Sequence, residues 1–186
     1  CMKSLPALLL FAVGLAGSSV AQTPTWKAEM LGTRPASWST VWAVAVNDAG
    51  LAVGNTYISG YKRAWIAGLG QTLELLPLPP QATYSQAYDI NSSGVVVGQV
   101  LFGNASQGIL WKPGTAGYEV FLLPTGPGGL LPFNATGIND AGDVVGKYGI
   151  LGGSYHWSEA TGVTQITYST FPKTPTDINE QRQIVA

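Results

Sequence analysis

The chain has 186 residues, 10% of them charged and 46% hydrophobic, with 24 glycines and 12 prolines. That balance excludes a disordered chain and argues against a helical one, and it suits a single domain of short strands and tight turns. A formal net charge of −1 with no run of Lys or Arg excludes the basic footprint that nucleic acid requires.

The N-terminus reads as an export signal over residues 1–21. Lys3 supplies the positive start, Leu5 to Ala16 the apolar stretch, and Ser19-Val20-Ala21 the small-residue cleavage site before Gln22. The apolar run is too short to span a bilayer, which takes about 20 residues, and no other run of spanning length follows. The mature chain is therefore expected outside the cytoplasm, secreted or periplasmic, with no transmembrane segment. Cys1, the only cysteine, precedes the Met that would start the signal and is read as an extra residue. Without cysteine pairs there is no disulfide framework, so packing must supply stability.

Residues 22–186 read as one repeat domain. A strand-like segment from Trp26 to Leu31 leads in, and then one pattern recurs: Val44-Ala-Val-Asn-Asp-Ala-Gly-Leu-Ala-Val-Gly54, Tyr88-Asp-Ile-Asn-Ser-Ser-Gly-Val-Val-Val-Gly98 and Thr136-Gly-Ile-Asn-Asp-Ala-Gly-Asp-Val-Val-Gly146. Asn47, Asn91, Asn139 and Asn179 mark it at steps of 44, 48 and 40 residues. The units fall at about 41–85, 86–133 and 134–172, with a truncated unit over 173–186.

Each Asn-x-x-Gly is read as a hairpin turn. The Asn side chain is expected to cap the amide two residues on, and Gly50, Gly94 and Gly142 to take positive φ and close a three-residue hairpin with a bulge. Arg182 stands where the fourth glycine would be, so that turn is expected to be looser or differently closed. Strand-like runs follow, ending in Gly54, Gly98 and Gly146, where a bulge or a close backbone approach is expected. Aromatic strands come next, around Trp65, Trp111 and Trp157, and then a final apolar run. In the first unit this gives four strands near 41–47, 51–57, 62–67 and 72–77.

Four short strands per unit point to an all-β, propeller-like repeat of four-stranded antiparallel blades, about 3.5 of them, with a β-sandwich as the alternative. So few blades do not make a ring, and the chain ends inside an expected strand. It is therefore read as part of a longer protein, or else as a small ring closed by the segment from Trp26.

The pattern aliphatic-Asn-Asp-x-Gly-x-Val-Val-Gly, followed by a small-aromatic-x-Trp strand and a Leu-rich strand, resembles the HAF-type extracellular repeat of bacterial exported proteins. Met30-Leu-Gly-Thr33 is similar to the segment that precedes each unit in that family, and Gly137 to Gly146 is the best-matching copy. Ala67, where the others carry Trp111 and Trp157, and Arg34-Pro35, in place of Gly-Gly, depart from the pattern. The resemblance implies a propeller-like extracytoplasmic protein and says nothing of activity.

Candidate chemistry is sparse. The single His156 lies where Ile66 and Leu110 stand in the other copies and is read as a core or interface residue. No metal site and no cofactor are expected, because no second histidine or cysteine pair is present. Asp48, Asp89, Asp140 and Asp177 recur with the repeat and read as turn chemistry. Gly126-Pro-Gly-Gly129 reads as plain loop. Trp111 and Trp157 are assigned to packing between blades, whereas Trp38 and Trp42, outside the strongest pattern, are the candidates for an exposed binding surface. The leading expectation is a non-enzymatic exported module for binding or structural display, with a glycan, a peptide or a cell-surface protein as partner. A secreted hydrolase or lyase with its catalytic loops in other blades, and a cell-surface spacer, are the alternatives.

Overall fold

The computed structural model describes residues 32–149, 153–168 and 173–186. The export signal over 1–21 and the leading segment from Trp26 to Leu31 lie outside them. Within the described residues the chain is all-β, with one 3-10 turn at Pro127–Gly129 where plain loop was expected.

Three four-stranded antiparallel sheets and one two-stranded sheet follow in chain order, each a meander in which neighbours in sequence are neighbours in space. The first holds β1 (Val41–Val46), β2 (Ala52–Ile58), β3 (Tyr61–Ala67) and β4 (Glu74–Leu75). The second holds β5 (Tyr84–Ile90), β6 (Val96–Phe102), β7 (Ala105–Gly114) and β8 (Gly117–Leu122). The third holds β9 (Pro132–Ile138), β10 (Val144–Tyr148), β11 (Gly153–Ser158) and β12 (Gly162–Ile166). The last pairs β13 (Asp177–Ile178) with β14 (Ile184–Val185). In the first unit the observed strands match those expected from sequence, except that β4 is shorter.

The sheets stack face to face in series without closing into a ring. β5 packs on β1, β2 and β3, β9 on β5, β6 and β7, and β13 on β9 and β10. One apolar layer joins Val53, Ala64, Ile66 and Leu76 of the first sheet to Ala87, Val96, Val100, Ile109 and Trp111 of the second. The next joins Val97, Leu110 and Leu123 to Ala135, Val144, Tyr155 and Trp157 of the third. Val96 and Val97 are adjacent and point to opposite layers, so the second sheet buries both faces. That is why Val95 to Val97 reads as a continuous apolar run rather than an alternating one. Trp111 and Trp157 each fill a layer between sheets, as assigned from sequence.

The strand glycines answer to a bulge. Register shifts in β1, β5 and β9 leave Val44, Tyr88 and Thr136 as extra residues. Each bulge pushes a carbonyl toward the middle strand, so that a Cβ on Gly98 would lie 2.1 Å from Gln86 O and one on Gly146 2.0 Å from Asn134 O. The turn glycines Gly50, Gly94 and Gly142 have φ of 75°, 79° and 82°.

Arg182 corrects an expectation. It adopts φ 59°, and its turn closes with the same pair of backbone bonds as the others: Arg182 N to Asn179 O at 3.0 Å and Asn179 N to Gln183 O at 3.1 Å. The turn is therefore not loosened. A side chain is held in a conformation that costs about 1–2 kcal/mol outside glycine.

Trp38 corrects another. It is 5% exposed and packs with Ala52, Trp65, Ala67 and Leu73 on the outer face of the first sheet. Its indole is core, because the chain before β1 folds back over that face and Trp38 N bonds to Pro35 O at 3.1 Å.

Candidate functional site

Side chains that recur in every copy serve the stacking, and those present in only one copy are the candidates for function. The Asn turns belong to the first group. Asn47, Asn91, Asn139 and Asn179 each accept, through Oδ1, the amide four residues on, from Leu51, Val95, Asp143 and Gln183 at 2.8–2.9 Å. The expected partner two residues on is met only at Asn179, by Gln181 N at 3.1 Å.

The Asn amide nitrogens reach across the sheets. Asn47 Nδ2 donates to Asn91 O at 2.9 Å, Asn91 Nδ2 to Asn139 O at 3.1 Å, and Asn139 Nδ2 to Asn179 O at 3.1 Å. A second ladder, donating in the same direction but from main chain to side chain, joins Ser92 N to Asp140 Oδ1 at 2.7 Å and Asp140 N to Glu180 Oε1 at 2.8 Å. Asp89 spans the same gap, accepting Ile90 N at 2.8 Å and Ile138 N at 3.0 Å. Burial pushes its carboxyl up, the two amides draw it down, and the Asp177 charge adds a further upward push, leaving it above the usual carboxylate range. Of the recurring acids, Asp89 and Asp140 bond across copies, and Asp177 accepts the next amide, from Ile178, at 2.7 Å.

Two clusters do not recur. The first lies on the third and fourth units. Asp143, whose side chain is 1% exposed, meets His156 Nε2 at 2.9 Å and Arg182 Nε at 2.7 Å, and Asn139 Nδ2 is 3.3 Å away. Burial raises this carboxyl, but the hydrogen bonds from Arg182, His156 and Asn139 and the His156 charge outweigh it and hold the group below its usual range. The other copies have Leu51 and Val95 in place of Asp143. On the far side of the imidazole the Thr164 hydroxyl is 3.5 Å from Nδ1 and also lies 3.2 Å from His156 O, to which it donates. Both carboxylate oxygens of Asp143 are spent on holding neighbours, and the Thr164 hydroxyl beside the imidazole directs its proton to the His156 main-chain oxygen. The cluster is a latch between units, in keeping with the interface reading of His156.

The second cluster lies at the opposite end of the strands, between the first two sheets. Trp42 of β1 and Tyr57 of β2 have ring centroids 5.8 Å apart. Lys62 Nζ of β3 sits 5.6 Å from the Trp42 centroid, 5.9 Å from that of Tyr57 and 5.5 Å from that of Tyr84 on β5, all within cation–π range. Gln86 Oε1 accepts both Lys62 Nζ at 3.1 Å and the Tyr84 hydroxyl at 2.6 Å. Burial, and then the charge of Tyr57, raise the Tyr84 phenol above its ordinary value. Tyr57 is 38% exposed, so the cluster opens to solvent.

Sequence reasoning picked out Trp42 but missed Tyr57, Lys62, Tyr84 and Gln86. They come from three strands, β2, β3 and β5, brought together by the Tyr57–Lys62 register of the first sheet and by the packing of the second sheet on it. The structure separates the paired candidates, with Trp38 in the core and Trp42 in the aromatic cluster. Among the described residues no group of three or more His, Cys, Asp or Glu side chains is placed to hold a metal, and no helix is long and apolar enough to cross a membrane. Compared with known proteins, the chain matches no family model and none of the curated proteins.

Proposed function

We propose that the chain is a non-enzymatic exported binding module of the HAF-type repeat kind, its three four-stranded sheets being blades of a propeller-like stack, with its ligand surface at the Trp42 cluster. Support for the stack comes from the meander of four strands in each of the three sheets and from the Asn ladder that ties each turn to the next. One observation carries the binding role: three aromatic rings surround a lysine at a solvent-facing surface between the first two sheets, whereas Lys112, flanked by the Phe121 and Trp157 rings, is paired with Glu159. At the register position of the Tyr57 and Lys62 pair, the second sheet has Leu101 and Ser106. Aromatic faces beside an amide and a cation suit a sugar or peptide ligand better than an apolar one.

The test is tryptophan fluorescence of the chain titrated with soluble polysaccharides and with peptides, repeated on Trp42→Ala. Saturable change with at least one ligand class, lost in Trp42→Ala while the variant still unfolds cooperatively within a few degrees of the parent, supports the reading. Saturable binding that survives Trp42→Ala removes the site from it, and no binding to either class removes the function.

A further inference from the structure

We infer that the Trp42 cluster is a receptor for an anionic glycan, with Lys62 as the group that reads the ligand's carboxylate or sulfate; this rests on the binding role proposed above. The starting point is what Lys62 does compared with its counterpart. In the second sheet Ser106 occupies the same register position, and its hydroxyl donates to Phe133 O on β9 at 2.8 Å, tying one sheet to the backbone of the next. Lys62 ties nothing to the backbone. It donates to the side chain of Gln86, whose oxygen already accepts the Tyr84 hydroxyl.

The charge on Lys62 is also unmatched. Among the described residues no carboxylate lies within salt-bridge distance of its Nζ, whereas Lys112 is paired with Glu159 at 2.6 Å. The neighbours of Lys62 are three ring faces and one amide oxygen, which hold the ammonium in place without neutralising it. A half-buried ammonium with part of its hydration replaced by rings has donors left for an oxyanion, and its attraction to one is stronger than that of a lysine in open water. Since the chain as a whole carries a net charge of −1, general attraction to polyanions is not available to mimic such a site. The flanking rings supply flat apolar surface for the sugar that bears the anion.

The experiment is affinity electrophoresis of the chain in gels holding polygalacturonate, dextran sulfate or neutral dextran, at low and high salt, with Lys62→Met, Lys62→Arg and Trp42→Ala beside it. Retardation by one or both polyanions is expected, reduced by salt, weakened about tenfold by Lys62→Met and largely kept by Lys62→Arg. The two polyanions separate carboxylate from sulfate as the group read. Equal retardation in dextran, or binding to polyanions that Lys62→Met leaves intact, overturns the anionic class. If neutral dextran alone retards the chain and Trp42→Ala abolishes it, the binding role stands while this inference fails. Retardation in none of the three gels overturns the inference, and the wider titration with peptides and other sugars then decides the binding role separately. Melting temperatures of the variants distinguish lost contact from lost fold.

Discussion

Asn91 donates from Nδ2 to the main-chain oxygen of Asn139, 48 residues on, at 3.1 Å, while its Oδ1 accepts the amide of Val95 at 2.9 Å. One side chain thus closes its own turn and fixes the position of the next. Neither aspartate nor serine offers the same donor and acceptor at that reach, which accounts for Asn at Asn47, Asn91 and Asn139, where both bonds are made.

Replacing Asn91 with Ala therefore strands two backbone groups, the Val95 amide and the Asn139 carbonyl, the second of them in a buried bond. The expected loss is about 2–4 kcal/mol, at about 1 kcal/mol for each bond plus the cost of the unpaired partners. Asn47 is less buried and lies at one end of the ladder, so Asn47→Ala is expected to lose about half as much. Urea midpoints of the two variants check the order; equal losses would argue that the deeper burial of the Asn91 bonds adds nothing to their worth.

The two classes of glycine should separate cleanly. Gly50 has φ 75° and open space around a hypothetical Cβ, so Gly50→Ala costs only backbone strain, about 1 kcal/mol. Gly98→Ala places a methyl 2.1 Å from Gln86 O, and a carbonyl fixed in a bulge cannot step aside. A loss above about 3 kcal/mol, or failure to fold, is expected. Thermal melts or expression yields of the pair decide it.

Arg182 and Asp143 should be coupled. In the native background Arg182→Gly relieves about 1 kcal/mol of strain but removes one partner of a buried carboxylate. Arg182 is mostly exposed, so solvent screens that pair and its worth is about 1 kcal/mol. The two effects offset, and the variant should lie near the parent in stability. In an Asp143→Leu background, which restores the residue type of Leu51, only the strain remains and Arg182→Gly should stabilise by about 1 kcal/mol. A double-mutant cycle by denaturant unfolding measures this, and an identical effect in both backgrounds would exclude the coupling.

Asp143 and Asp89 should respond to acid in opposite senses. The Asp143 carboxyl is held below its unfolded value, so its stabilising contribution is present above that value and disappears as pH falls through the lower, folded one. Asp89 is held above its unfolded value, so its contribution is full below that value and is lost as pH rises through the folded one. Stability relative to Asp143→Leu should therefore grow from acid toward neutral pH, while stability relative to Asp89→Ala should shrink. Unfolding curves across the acid range for the three proteins read both signs.

Trp38 and Trp42 should divide stability from binding. Trp38→Ala opens a cavity under the outer face of the first sheet and should cost about 3–5 kcal/mol. Trp42→Ala removes a half-exposed ring and one cation–π contact, for about 1 kcal/mol. Melting of the two variants tests the division, and similar losses would place Trp42 in the core as well.

The strands, the turn glycines at positive φ, the strand glycines at bulges and the packing of Trp111 and Trp157 follow from the sequence alone. Each depends on residues within one hairpin, where the two-residue period of a strand and the steric freedom of glycine leave few choices. The partners of the Asn amides, the burial of Trp38 against the openness of Trp42, the convergence on Lys62 and the rescue of Arg182 by Asp143 were decided only by the tertiary structure. These contacts join residues tens of positions apart through the offset at which one sheet rests on the next. That offset is set by the summed packing of two faces, and no local run of residues encodes it.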